Sequence, residues 1–328
     1  MLATYATAPK IGEVIAVSGA NGFVGKALCD QLQSQGFVVR RLVRTLSGSH
    51  DNEFEVGDIN AETDWSTPLA GVTTIVHCAA RTHVMNDSAK NSLKIYQTVN
   101  VDGTRCLAEN AARLGVQRLV FLSSVKVNGE QTSSPSEQQT CNGFSVFDDP
   151  DPQDSYGITK LEAEQTLWRE SLRSGLKVVI IRAPLVYGPG VKGNFLRLIR
   201  IVQQGWPLPF SLVNNRRSLV ALDNLLNLLV ICIKHPSAPG QTFLVSDGED
   251  ISTPELIRGL AKVMNVPARL FPVPPFFLQL GGSLFGRRKE IDRLIGTLQV
   301  DISHTRKVLE WSPPILLEEG LRRTVVGE

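Results

Sequence analysis

In the stretch DSYGITKLEAEQ, Tyr156 and Lys160 stand four residues apart. On a helix that spacing puts a phenol and an ammonium on one face. A tyrosine of ordinary pKa, near 10, is a poor base at neutral pH, and a cation one turn away favours its phenolate. The two therefore read as a proton-transfer pair. The competing reading is a structural surface helix. Asp154 or Ser155 would be its N-cap, and Glu162 and Glu164 would sit in early turns where the dipole favours acid. The pair alone does not decide between them.

A second stretch, SGANGFVG, supplies Gly19, Gly22 and Gly25 after an apolar run and at the start of a helical pattern. Gly19 permits a tight turn, Gly22 lets backbone approach a pyrophosphate, and Gly25 allows close helix packing. Backbone N–H groups and the helix dipole then favour the anion. Asn21, Phe23 and Val24 lie inside this loop and are expected beside the dinucleotide. An acid at the end of the second strand would bind the ribose hydroxyls of NAD. This chain has Val43 and Arg44 there, in RRLVRT. A guanidinium grips a 2′-phosphate that a carboxylate would repel, so NADP(H) is favoured over NAD. The alternative is that Arg40, Arg41 and Arg44 are merely solvated strand ends. Asp58 in GDIN, with Ile59 next to it, is placed to meet the adenine edge.

The elements around these groups alternate. EVIAVSG, FVVRRLVR, FEVGD, TTIVHCAA, RLVFLSS and KVVIIRA read as strands, with helical patterns over 23–32, 92–114 and 155–174. Apolar strands separated by amphipathic helices indicate a parallel sheet covered on both faces. The expected fold class is α/β, a Rossmann-type doubly wound parallel sheet with a smaller C-terminal α/β substrate lobe. The division is 1–182 for dinucleotide and 183–328 for substrate, the two interleaved. Short helices near 194–204, 223–233 and 254–264 and the strands RRSLVAL and QTFLVSD belong to the second lobe. The polar stretch 129–143 reads as a surface loop.

With 328 residues, 42% hydrophobic and 20% charged, the chain has ample material for a large core. The net charge is +2 and the basic residues are dispersed, which speaks against nucleic acid; arginine pairs such as Arg216-Arg217 and Arg287-Arg288 suit a phosphate. Five cysteines without a C-x-x-C fit a reducing, cytoplasmic setting. His77, Cys78 and His83 lack ligand spacing, so no metal is expected. The N-terminus has no signal-like apolar core, and the apolar run near 223–233 is too short to span a bilayer. The apolar segment 271–286 reads as a lid over the substrate or, less favoured, as a membrane contact.

Taken in order, the glycine trio, GDIN, HCAA, VNVDGT, FLSSVKVNG, YGITK and RAPLVYGPG resemble the extended short-chain dehydrogenase/reductases, the NAD-dependent epimerase/dehydratase family. The likeness covers nearly the whole chain and is greatest to the nucleotide-sugar branch, with its UDP-N-acetylhexosamine 4-epimerases and 4-keto reductases of bacterial surface-polysaccharide synthesis. The resemblance implies that Tyr156 is the acid/base, Lys160 its partner and Ser124 the hydroxyl that holds the substrate, with Ser123 as a neighbour. It implies cofactor contacts at Ala79, Ala80, Asn100 and Pro184. Asn194 and Arg217 would meet the nucleotide sugar and its diphosphate. Apart from the resemblance, Arg287 or Arg288 is a candidate second diphosphate contact, with a merely solvated surface pair as the equal alternative. Arg81 and His83, which follow the fourth strand, are weaker candidates to line the sugar site and are not assigned to it. Asn128 departs from the family, in which tyrosine is common at that place. The expected reaction is reduction of a UDP-linked 4-keto-6-deoxy-N-acetylhexosamine. The alternatives are a UDP-GlcNAc or UDP-glucose 4-epimerase with tightly held NAD, and a non-catalytic NADP-binding regulator. Dimerisation through the long helices is also implied.

Overall fold

The computed structural model describes residues 13–82, 92–132, 143–284 and 286–327. Among the described residues ten strands run in chain order: β1 (Val14–Ser18), β2 (Val38–Val43), β3 (Glu53–Glu55), β4 (Thr74–His77), β5 (Arg118–Ser124), β6 (Lys177–Ala183), β7 (Leu185–Tyr187), β8 (Arg217–Ala221), β9 (Gln241–Leu244) and β10 (Asp250–Ile251). Between the strands of the first half lie α1 (Phe23–Ser34), α2 (Ser66–Leu69), α3 (Ser92–Gln97), α4 (Gly103–Arg113) and α5 (Ser155–Ser174). The second half adds α6 (Gly193–Gln203), α7 (Leu222–Lys234), α8 (Thr253–Val263), α9 (Pro275–Leu284), α10 (Arg288–Ile295), α11 (Ser303–Leu309) and α12 (Leu317–Val326).

Seven strands form one parallel sheet in the order β3-β2-β1-β4-β5-β6-β9. One face is packed by Leu28 and Leu32 of α1 with Leu225, Leu228 and Leu229 of α7. The other takes Leu107 and Ala111 of α4 with Ala163 and Leu167 of α5. Burial on both sides explains why β4 and β6 read as unbroken apolar runs rather than alternating ones. A second sheet, β10-β8-β7, carries its own core with α6, α8 and α12.

QTFLVSD is the exception to the assignment of the second half. Its residues Gln241–Leu244 form β9, which pairs with Val179–Arg182 and completes the large sheet. The pattern over 92–114 is likewise not one regular helix, because a π-helical turn at Thr98–Asp102 separates α3 from α4 and carries Asn100. The segment 271–286 contains α9, with Pro275 at its first position, where a missing N–H costs nothing. His83, Cys141 and most of the loop 129–143 lie outside the described residues.

Helix α5 starts where the sequence suggests. Asp154 is the N-cap, extended in backbone, and its carboxylate accepts from Gly157 N–H at 2.8 Å. The helix stops at Gly175, whose φ of +78° suits glycine. Gly157 is needed for a second reason: a Cβ there would stand 2.7 Å from Lys126 O. The first turn of α5 thus lies directly against the segment that follows β5, which brings Tyr156 to the end of the strand that carries Ser124.

Candidate active site

The crevice of this fold opens between β1 and β4, where the strand order reverses. Gly19 ends β1 at φ +69°, and its carbonyl accepts from Gly22 N–H at 2.8 Å. A Cβ on Gly25 would sit 2.2 Å from Gly19 O, so α1 can approach the strand this closely only without a side chain. No side chain caps α1 at Gly22, which leaves its first-turn N–H groups directed at the crevice. This cradle fits the pyrophosphate of a dinucleotide. Gly25→Ala is expected to lower stability by about 1–3 kcal/mol through overpacking and to abolish NADH binding, read by nucleotide fluorescence.

Around the cradle, Asn21 is exposed, Phe23 and Val24 are partly buried against the core, and Ala79 and Ala80 follow β4 at half burial. Ile59 packs on the α4 start at Gly103, and Pro184 is buried between β6 and β7. Asn100, expected at the cofactor, ties two segments together in this structure. Its amide accepts from Arg81 N–H at 2.8 Å and donates to Arg81 O and to Thr159 Oγ1, clamping the loop after β4 onto α5. Arg44 and Asp58 were assigned separate contacts, yet they pair with each other at 2.9 Å, both largely exposed. A carboxylate therefore does stand beside the end of β2, supplied by the segment after β3. Arg40 and Arg41 are not solvated ends: Arg40 donates to Pro68 O and Ala70 O, and Arg41, 1% exposed, bonds Asp30 and Gln33.

Ser124 closes β5, and its Oγ accepts from Lys126 N–H at 3.3 Å, which leaves its own proton for donation. Lys160 is 2% exposed; Nζ donates to Leu122 O at 2.6 Å and lies 4.0 Å over the Phe121 ring. Tyr156 is half-buried, and its phenol is pushed up by burial first, then by Asp154 and Tyr96. In the cofactor-free chain burial thus outweighs any help to the phenolate from the lysine one turn away, whose ammonium donates to a backbone carbonyl.

Lys160 itself is drawn down from 10.5 to about 8, chiefly by burial, with Glu164 and Cys78 opposing. A lysine whose folded pKa lies below its unfolded one weakens the fold while charged. The penalty is complete below about pH 8 and fades as pH climbs toward 10.5. It amounts to about 3 kcal/mol, against about 1 kcal/mol for the Leu122 hydrogen bond. Cofactor-free Lys160→Met is therefore expected to melt above wild type at neutral pH, with the gap closing under alkaline conditions, while turnover is lost. Thermal melts across that pH range check it.

Behind these groups lies a buried network that sequence reasoning missed. Glu164, 2% exposed, accepts from Ser123 Oγ at 2.5 Å and from Arg182 Nη2 at 2.7 Å, and Arg182 Nε donates to the same carboxylate. Arg182 Nη1 reaches Asn128 Oδ1 at 3.1 Å, and Asn128 Nδ2 reaches Ser145 O. Glu164 is thus no solvated early-turn acid, and Asn128, where the family often has tyrosine, is a buried link. His77 is a core residue: Nδ1 shares a hydrogen bond with Ser18 Oγ, Nε2 one with Thr104 Oγ1, and burial pulls it down to about 3. No group of three His, Cys, Asp or Glu suited to a metal occurs among the described residues.

A cavity of about 360 Å³ opens in the second lobe between α6, β8, α8 and α10. Its walls are mainly apolar, and Asn194, Arg197, Arg217, Arg287 and Arg293 border it. Arg217 is fixed by donating to Arg293 O and Gly296 O. Arg287 faces the cavity, whereas Arg288 pairs with Asp292.

Residues 15–246 match the family described as NAD dependent epimerase/dehydratase. Over 318 residues, 96% of this chain and 95% of the other, the sequence is 47% identical to a Vibrio cholerae protein named UDP-glucose 4-epimerase. It is 26% identical, over 94% of this chain and 93% of the other, to an Escherichia coli O157:H7 protein named N-acetyl-alpha-D-glucosaminyl-diphospho-ditrans,octacis-undecaprenol 4-epimerase. Among solved structures, a UDP-glucuronic acid 4-epimerase from Bacillus cereus in complex with NAD superposes with a TM-score of 0.76. That match has 22% identity and covers 96% of this chain and 98% of the other.

Proposed function

Because the chain belongs to the NAD-dependent epimerase/dehydratase family, we propose that it is a UDP-hexose 4-epimerase that works with a retained NAD. It is an enzyme of the extended short-chain dehydrogenase/reductase type, which sets the regulator reading aside. The observation that carries the proposal is the 47% identity along nearly the full length of both chains. The reductase expectation rested on a missing acid at the adenosine ribose. The Arg44–Asp58 pair weakens that argument, since a carboxylate shares the place with the guanidinium.

Held by Gly19, Gly22 and the first turn of α1, the nicotinamide cofactor would supply an acceptor and donor for the hydride of the sugar C4–H. The chain's own residues manage the oxygen. Ser124 donates to the C4 oxygen and fixes its direction; Tyr156 takes the hydroxyl proton as the carbonyl forms and gives it back as the carbonyl is reduced. One proton and one hydride leave, and both return, so the sugar suffers no net oxidation. Lys160 anchors ribose hydroxyls with its ammonium, and Asn194, Arg217 and Arg287 hold the nucleotide diphosphate.

Purified protein incubated with UDP-glucose or UDP-GlcNAc, with no cofactor added, is expected to yield the C4 epimer, and denaturation is expected to release NAD. Oxidation of added NADPH by a UDP-4-keto sugar, without epimer formation, would overturn the assignment and restore the reductase.

A further inference from the structure

Sixteen large hydrophobic residues are exposed among those described, and six of them, Leu212, Phe271, Phe276, Phe277, Leu280 and Leu284, fall in two neighbouring pieces of the second lobe. Leu212 and Phe271 are brought together by the hydrogen bond from Ser211 N–H to Phe271 O. The other four occupy α9 at positions i, i+1, i+4 and i+8, a single outward stripe. Phe276, Phe277 and Leu284 are 67%, 59% and 77% exposed. The inner side of the same helix is already satisfied. Leu278 is buried, and Gly282 lies so close to α10 that a Cβ would meet Ile291 at 2.8 Å. Among the described residues, helix α9 therefore has protein on one side and leaves an apolar stripe exposed on the other.

Charge narrows what the outer side meets. Over its ten residues α9 carries no acid and no base. Two exposed arginines follow at its C-terminal end: Arg287 borders the cavity, and Arg288, 68% exposed, lies 3.7 Å from Asp292, with Glu290 further along α10. An apolar stripe ending in arginines is the arrangement of an interfacial helix, with rings at the acyl boundary and cations among anionic headgroups. Ten residues are too few to cross a bilayer. Helix α10, on which the inner side of α9 packs, lines the cavity through Ile291 and Leu294.

We propose that the outer face of α9, with Leu212 and Phe271, docks the protein on an anionic phospholipid surface. This inference does not depend on which reaction the site performs. The test is co-sedimentation with phosphatidylcholine vesicles made with and without phosphatidylglycerol. Wild type is expected to pellet with the anionic vesicles, less so as salt rises. Phe276→Ser/Phe277→Ser is expected to lose vesicle binding on the order of tenfold, and Arg288→Gln about fivefold. Both variants are expected to keep the wild-type melting temperature and UDP-sugar turnover, and Leu284→Ser repeats the test should the double variant fold poorly. Absence of sedimentation, or equal sedimentation of wild type and variants, would refute the proposal. So would conversion of a dimer to monomer by the variants, which would make the stripe a contact between two copies of this chain.

Discussion

Tyr156→Phe is expected to lower kcat by about 10²–10⁴-fold, the range for losing a positioned proton carrier, with KM for the UDP-sugar and the NAD content close to wild type. The ring itself stays: phenylalanine fills the same half-buried place in the first turn of α5, so folding is not at stake. What disappears is the one hydroxyl able to carry the C4 proton away and back. The pH dependence follows with it. Burial, Asp154 and Tyr96 all raise this phenol, so its basic form grows as pH increases. Wild-type kcat/KM is expected to rise toward alkaline pH, and the residual rate of the variant is expected to be flat over the same range. A variant that keeps full turnover would remove Tyr156 from the chemistry.

Arg182→Met is expected to cost about 3–5 kcal/mol of stability, measured by urea denaturation, because it leaves the Glu164 carboxylate buried against Ser123 without its counter-charge. Glu164→Gln is expected to cost a similar amount by stranding the guanidinium beside Asn128. Combined, Glu164→Gln/Arg182→Met is expected to be much less damaging than the sum of the two, since a buried pair replaced by neutral groups no longer carries the desolvation of either charge. The pair lies one helical turn beyond Lys160 and beside the strand residue that precedes Ser124. Loss of it is therefore also expected to slow turnover in whatever fraction stays folded.

These two residues also mark where reading the sequence stops. The glycine loop, the six strands of the first half and the Tyr156–Lys160 helix were legible because each depends on residues a few positions apart: an apolar run, a cap, an i, i+4 spacing. Glu164 and Arg182 were not, because nothing near either in the chain says that one will be the buried partner of the other. The pairing of Arg44 with Asp58 was not foreseen either, again a contact between loops from different strands. The direction of Lys160 Nζ was hidden for the same reason: its acceptor, Leu122 O, lies on the strand beneath the helix. The segment 271–286 reads as a lid or a membrane contact without a helix in it, yet Pro275 stands at the first position of α9.

The late return of β9 has a consequence for how the molecule is made. Strand β6 pairs on one side with β5, and its other side is completed only by Gln241–Leu244. At about 5–20 residues per second, translation takes several seconds to deliver that last strand after β6 has left the ribosome. Throughout that interval a nascent chain displays a bare, apolar edge able to pair with the same edge of another nascent chain on a shared messenger. Chaperone demand is expected to peak there, and truncation shortly after residue 183 should give inclusion bodies rather than a separable half.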